Sequence, residues 1–445
     1  MTSSTPESAH AAQQLADDLA ARGVAGVTIH WADNNGIPRS RTVPVAELPR
    51  VAEIGVGITT LFAVFDSHDA ITYAHEPLST PSGDVRLVPV LDALTPLAGQ
   101  PALAWVPGRQ VAADGSPWPY DQRGVLERQV AALAERGLSA QVGYEMEFTV
   151  TTGDFEPGHP GPAYSPHALV PIDAFVADVL RDCAANGLPL GQLHAEYGPA
   201  QVELSIAAAD PVTAADRQLL ARQTLRAAAQ HHGLQLSFAP LPALTMAGNG
   251  WHIHTSVWRD GVNLLADGPG PWVAGILRDL AAVAAVTAPS LGSLERMRPG
   301  YFAGAFAFWG VENREAPLRY IPGTALLGAE HANVELKASD ASANPYLALA
   351  AVLAAGAAGI AVDLELPPPV QEDPGTWTDD EREQHGIVAL PGNQGEQEAA
   401  LRDSRVAEAL GPEVLGAFLA VRRSDATVAT GMEIDDVLAG LRFRY

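Results

Sequence analysis

Apolar and polar positions recur along this chain with two periods, and the switches between them mark out its elements. Residues 11–22 carry apolar side chains at helical spacing. The runs GVTIHWAD and VRLVPVL then read as short strands, separated by the turn signals DNNGIP and TPSGD. They predict a small α+β domain over residues 20–112, behind an N-terminal extension and helix start at 1–19. In VAADGSPWPYDQRGVLERQVAALAERG a Gly/Pro turn leads into an amphipathic helix over 122–136, at the junction with a second domain spanning 113–445. From residue 141 onward, strands that carry charged residues alternate with Ala/Leu helices expected over 171–186, 211–232 and 271–288. The second domain therefore reads as a larger, antiparallel-rich α+β body.

Two stretches break this rhythm. Residues 346–362 are apolar throughout, but they are fewer than about 20 and mostly alanine and glycine, which predicts a buried helix and no membrane span. Residues 364–400 are rich in proline, glycine and acids and predict an exposed loop, after which the chain returns to helix from residue 399. The sequence shows no internal repeat.

The charged positions inside the strands carry the chemistry. In VGYEMEFTV, Glu145 and Glu147 stand two apart, so a strand puts both carboxylates on one face. Alternating charge is commonly a solvated strand face. Here Val142, Phe148 and Val150 predict burial, where like charges repel unless cations lie between them. HAEYGPAQVELSI offers Glu196 and Glu203 around a Gly-Pro turn, with Gln201 and Glu203 on one strand face. AGNGWHIHTSVW puts His252, His254 and Ser256 on one face behind Gly248 and Gly250, and Glu335 is a further acid in an apolar run. Carboxylates joined by one or two histidines make an oxygen-dominated set. That set points to Mg²⁺ or Mn²⁺ and away from a thiolate zinc site. Arg296, Arg298, Arg314 and Arg319 add forked donors, and divalent ions with guanidinium groups are what a transferring phosphoryl group requires. No GxxxxGK[ST] motif occurs, so the nucleotide site is expected to be of another kind.

Bulk properties narrow the classes. The chain has 445 residues, enough for two domains, and a formal charge of −25, which argues against a nucleic-acid or anionic-membrane partner. A single cysteine, Cys183, cannot form an internal disulfide, and the first residues lack the basic and apolar regions of a secretion signal. Both suggest a cytoplasmic location. One position is odd. Lys337, in VELKASDASANPYL, is the only lysine, while arginine fills the other 26 of the 27 basic positions.

The motifs GYEMEF, EYGPAQVE, GNGWHIH, ENREAPLR and VELKASDASANPYLALAAVLAAG, in this order, resemble the glutamine synthetase family. WADNNGIPRSR and GDVRLVPVL resemble its smaller N-terminal domain, and the resemblance covers residues from about 20 to 445. It implies an α+β fold: an N-terminal β-grasp domain, then a catalytic domain with a curved antiparallel sheet and helices. It further implies a homo-oligomer, two stacked hexameric rings forming a dodecamer, with active sites between neighbouring subunits. ATP would phosphorylate the γ-carboxylate of glutamate, and an amine would then displace phosphate. By motif, Glu147, Glu196 and Glu203 would hold one Mg²⁺ or Mn²⁺, and Glu145, His252 and Glu335 another, with two or three ions per site. His254, Arg314 and Arg319 would contact ATP phosphates, with Ser256 near the nucleotide. Gly248 and Arg296 would contact glutamate. Asp66, in VFDSHDAI, matches the aspartate that reaches into the neighbouring subunit's site and helps the amine bind.

Two departures fall at the amine end. Ammonia-using members read PGYEAP, where the Glu attracts ammonium and takes its proton; here PGYFAG puts Phe302 in its place, and phenylalanine can do neither. Lys337 stands where those members carry an arginine at the reacting carboxylate. Lysine keeps the charge and loses the planar fork. An intact metal set beside a rebuilt ammonium site implies a changed nucleophile, so the resemblance leads to a glutamate–amine ligase acting on a small primary amine, ethanolamine first. Long polyamines are less expected, because the missing Glu removes an anionic partner, and Asp66, His68 or Asp69 are candidates to replace it. The competing readings are ordinary glutamine synthesis with ammonium, a γ-glutamyl-polyamine ligase, and a non-catalytic assembly on the same scaffold. Residues 347–444 contain no tyrosine, so control by adenylylation is not expected.

Overall fold

The computed structural model describes residues 6–445. The first unit opens with helix α1 (Pro6–Ala21), β1 (Gly26–Ala32) and β2 (Pro38–Pro44), followed by α2 (Leu48–Ile54), β3 (Val56–Thr59), β4 (Asp84–Pro89), β5 (Thr95–Pro96) and β6 (Leu103–Val111). The strands form one mixed sheet in the order β2-β1-β6-β4-β3, with β5 on β6. Only β1 and β6 run parallel, and they are the middle of the sheet. That is why GVTIHWA is buried along its whole length and does not alternate. Val27, Ile29, Leu48, Val51, Leu87 and Val106 make its core, to which Trp118, Tyr120 and Ala417 are added from outside the sheet.

The second unit holds α3 (Gln122–Ala134), β7 (Ser139–Thr151), α4 (Pro166–Leu169), α5 (Asp173–Ala185), β8 (Leu190–Ala195), β9 (Gln201–Ala209), α6 (Pro211–His231), β10 (Gln235–Ser237), β11 (Trp251–Arg259) and β12 (Val262–Asn263). It continues through α7 (Gly270–Arg278), α8 (Leu280–Thr287), α9 (Leu291–Arg296), β13 (Phe306–Ala307), β14 (Trp309–Val311), β15 (Leu318–Ile321), β16 (Asn333–Leu336) and α10 (Pro345–Ala361). The C-terminal part comprises α11 (Asp379–Gln384), β17 (Val388–Ala389), α12 (Gln394–Arg402), α13 (Arg405–Leu410), α14 (Pro412–Val428) and α15 (Ile434–Leu441). The main sheet runs β14-β15-β16-β11-β7-β9-β8, antiparallel except for β14 with β15. One face carries the apolar residues Tyr144, Met146, Phe148, Val202 and Leu204 into the core under the helices. The other face is left for the charged residues that alternate with them.

The buried centre of the helical layer is α10. Its apolar sequence is explained by burial on nearly every side, as expected. It packs against α7 so closely that a Cβ on Gly275 would lie 2.2 Å from the Ala355 carbonyl oxygen. No single described helix is long and apolar enough to cross a membrane.

Three expected elements need correction. The helix expected over 271–288 is two helices, α7 and α8, bent by 74° at the Arg278–Asp279 junction. Both halves are apolar, so the pattern reads as continuous although the chain turns. The expected loop at 364–400 contains α11, β17 and the start of α12. In α11 an all-polar sequence is held by a capping box between Thr378 and Glu381, which no hydrophobic period reveals. The first helix begins at Pro6, ahead of the expected residue 11.

The two units are joined at the β1–β2 turn. Buried Asp33 accepts from the Asn35 and Ile37 N–H groups at 2.9 and 3.1 Å and pairs with Arg39 at 2.8 Å. Arg222 bridges the carbonyls of Gly36 and Ala341, and Asn344 donates to those of Ala32 and Asp33. The turn is thus fastened to the segment between β16 and α10.

Candidate active site

Strand pairing assembles the charged face. Across β7 and β9, Glu147 lies opposite Glu203; across β8 and β9, His194 lies opposite Glu203. Across β11 and β7, His252 lies opposite Glu145, and Glu335 on β16 sits between His254 and Arg319. Directly opposed residues project to the same side of a sheet, so period-two spacing in each strand becomes one continuous array.

The distances are short enough for a divalent cation to be held between these groups. His252 Nδ1 is 3.4 Å from Glu145 and 3.5 Å from Glu335, and His254 Nε2 is 3.7 Å from Glu145. His194 Nε2 is 3.6 Å from Glu203 and 3.7 Å from Glu196. Three sets bring their ligand atoms within 4.8 Å of one another: Glu145, Glu203 and His252; Glu145, His254 and Glu335; His194, Glu196 and Glu203. The grouping differs from the one the motifs implied, with Glu203 shared and the Glu147 carboxylate accepting from the Gly250 N–H. His194 was missed by the sequence reading. Its signal was there, since His194 and Glu196 also stand two apart.

Burial and mutual repulsion set the protonation. Burial, then the Glu145, Glu147, Glu196 and Glu335 charges, push the Glu203 carboxyl up to about 10. Glu335 is also buried, but Lys337, His254 and His252 hold its carboxyl below the usual range. Burial pulls His254 down, yet the nearby Glu145 and Glu335 carboxylates outweigh it and raise it. Crowded carboxylates that must protonate when alone are what a divalent ion relieves, and the oxygen-plus-imidazole donor set fits Mg²⁺ or Mn²⁺.

The guanidinium groups border this array. Arg319 Nη1 is 3.1 Å from Glu335, and its Nε has no hydrogen-bond partner among the described residues. Arg296 is buried, with Nη2 donating to the Lys337 carbonyl at 3.1 Å and Nη1 3.9 Å from Asp340 without a hydrogen bond among the described residues. A Cβ on Gly248 would lie 2.8 Å from Arg296 Cγ, so glycine there lets the main chain close over the arginine. Lys337 is buried, its Nζ 3.8 Å from Glu335. Tyr164 donates to Glu196 at 2.9 Å and stacks on His194. Ser256, His254 and Glu145 line one cavity of about 450 Å³ together with Asn333 and Trp258. Arg314 is exposed, as is Phe302, which is 54 % accessible. Asp66 is not drawn into the array by its own chain. It is buried in the first unit, accepting from the His68 and Ala70 N–H groups and from Ser424.

Known proteins resemble this chain over most of its length. Residues 119–432 match the family model for the glutamine synthetase catalytic domain. The chain is 42% identical to the gamma-glutamylpolyamine synthetase GlnA3 of Streptomyces coelicolor, over 99% of this chain and 98% of that protein. It is 30% identical to the glutamine synthetase of Pyrococcus abyssi over 90% and 89%. A crystal structure described as a novel glutamine synthase homolog superposes with a TM-score of 0.83 at 32% identity, covering 93% of this chain and 97% of that one. The ADP complex of GmaS, at 24% identity and a TM-score of 0.82, shares the fold. With its acid–histidine array on the central sheet and these matches over nearly its full length, the chain belongs to the glutamine synthetase family, as an ATP-dependent glutamate–amine ligase.

Proposed function

We propose that the protein joins the γ-carboxylate of L-glutamate to an organic amine of the polyamine class, through γ-glutamyl phosphate, releasing ADP and phosphate. The observation that carries this reading is the acid–histidine array together with an exposed phenylalanine, in place of a carboxylate, at position 302. The polyamine synthetase relative, aligned over 99% of this chain, favours polyamines over the ethanolamine expected from sequence. The argument against polyamines was the loss of a carboxylate at the amine end. A different carboxylate, that of Glu315, lies beside Phe302 and weakens that argument.

The residues divide the work. Glu145, Glu196, Glu203, His252 and Glu335, with His194, would hold two or three Mg²⁺ or Mn²⁺ ions, and Glu147 borders them. Such ions screen phosphate oxygens during transfer. His254, Arg314 and Arg319 would bind ATP phosphates, with Ser256 near the nucleotide. Arg296 and the Gly248 main chain would fix glutamate. Lys337 would balance the acyl phosphate as its oxygens gain charge. The amine then attacks the carbonyl carbon, the C–O bond to phosphate breaks, and the amine loses its proton. Phe302 cannot take that proton. Asp66 is fully buried and engaged within its own chain, so His68 or Asp69 of a neighbouring subunit are the candidates at that end. The same reading includes a cytoplasmic dodecamer.

Mass spectrometry of the product tests the reading directly. With glutamate, ATP and Mg²⁺ in a mixture of putrescine, ethanolamine and ammonium, γ-glutamylputrescine should dominate. Glutamine as the main product would overturn it.

A further inference from the structure

Position 302 lacks a carboxylate, but Glu315 stands beside it. Phe302 has a left-handed backbone, φ +53°, and its main chain lies next to the Glu315 side chain. Glu315 is half-buried between β14 and β15, directly after Arg314. Packing brings three stretches together there. The Lys337 N–H donates to the Pro317 carbonyl at 2.9 Å, and a Cβ on Gly304 would lie 2.8 Å from Pro317 Cβ. Asn313 donates to the carbonyls of Val370 and Glu372, which draws in Asp373. Lys337 and Asp373 are accordingly the charged neighbours of Glu315.

The two acids are not equivalent. Asp373 caps its own turn, accepting from the Gly375 N–H at 2.7 Å. The Glu315 carboxylate has the Phe302 main chain beside it and forms no ion pair among the described residues. A carboxylate offers about four acceptor positions, so most of its capacity remains for a ligand. Lys337 Nζ is shared with Glu335 at 3.8 Å. A partly dehydrated carboxylate next to a second acid and an exposed aromatic ring suits an organic ammonium joined to an alkyl chain.

We infer that Glu315 determines amine specificity, its carboxylate holding the distal, non-reacting ammonium of a di- or polyamine while Phe302 flanks the carbon chain. This rests on the reading of the protein as an organic-amine ligase. The test compares kcat/KM for putrescine with that for butylamine, which matches its chain and lacks the second ammonium. In Glu315→Gln and Glu315→Ala the putrescine-to-butylamine ratio should fall roughly 10- to 100-fold, through KM for putrescine, while Glu315→Asp keeps most of it. A purely structural role would lower both amines together and leave the ratio in place. A wild-type enzyme that uses putrescine, with a ratio unmoved in either neutral variant, overturns the inference alone. A wild-type enzyme that uses no organic amine overturns the parent reading as well.

Discussion

Glu147 on β7 and Glu203 on β9 stand directly opposite one another in the sheet, with His194 next in line beyond Glu203. Without a cation this arrangement stores repulsion, and burial with the neighbouring acids pushes the Glu203 carboxyl up to about 10. Divalent ions compete with protons for these carboxylates. Mg²⁺ or Mn²⁺ affinity should therefore tighten as pH rises from about 6 to about 9. At a hundredfold excess over Kd the ion should stabilise the wild-type chain by about 2.7 kcal/mol. Glu203→Gln removes the repulsion and a ligand together. Its thermal midpoint without metal should match or exceed wild type, and its metal-induced shift should shrink to less than half. An undiminished shift would remove Glu203 from the ion site.

At the amine end, Phe302→Glu should restore a carboxylate that attracts ammonium and accepts its proton. Glutamine formation should rise about tenfold or more. No gain in folded protein would mean that Phe302 is not the decisive change.

Lys337 is buried against Glu335, and arginine would fill more of that corner. Lys337→Arg should therefore lower kcat/KM for organic amines more than for ammonium. An unchanged preference would show that Lys337 does not set the choice of amine.

The turn that joins the two units depends on Gly36. Its φ is +67°, and a Cβ there would lie 2.4 Å from the Ala343 carbonyl oxygen. Gly36→Ala should destabilise the protein by about 3 kcal/mol or more, because a left-handed alanine adds to a main-chain overlap. The segment after Lys337 is the other side of that contact, so activity should fall with stability. Chemical denaturation and phosphate release measure the two.

Asp121 supplies one pH-dependent contribution to stability. It caps α3, accepting from the Gly124 N–H at 3.0 Å, and burial pushes its carboxyl to about 7. Its folded value lies above the unfolded one, so the folded state holds the proton more tightly. The resulting stability is present below the unfolded value of 3.8 and is lost as pH rises through about 7. Asparagine caps equally well and does not titrate. The advantage of Asp121→Asn over wild type should grow from about pH 4 to about pH 8, to at most about 4 kcal/mol. Paired urea titrations at both pH values check it.

Much of the site was legible in the sequence because a period of two is visible within a strand. Glu145 with Glu147, and His252 with His254, needed only their spacing to be placed on one face. Which strand lies beside which was not legible, since register depends on pairings far apart in the chain. His194 illustrates the loss: it gains meaning only opposite Glu203. Glu315 illustrates it further, because its neighbours Phe302, Lys337 and Asp373 come from three separate stretches. The fold followed the same rule. α10 was read from its apolar run, while the turn between α7 and α8 and the polar helix α11 left no trace in the hydrophobic pattern.

The central claim is that an intact phosphoryl-transfer site serves an organic amine. It is tested most directly by phosphate release with glutamate, ATP and Mg²⁺, measured for putrescine, spermidine, ethanolamine and ammonium in parallel. The account predicts the highest kcat/KM with the polyamines, at least about tenfold above ammonium, a margin of about 1.4 kcal/mol. Robust turnover with ammonium and none with any organic amine would contradict it.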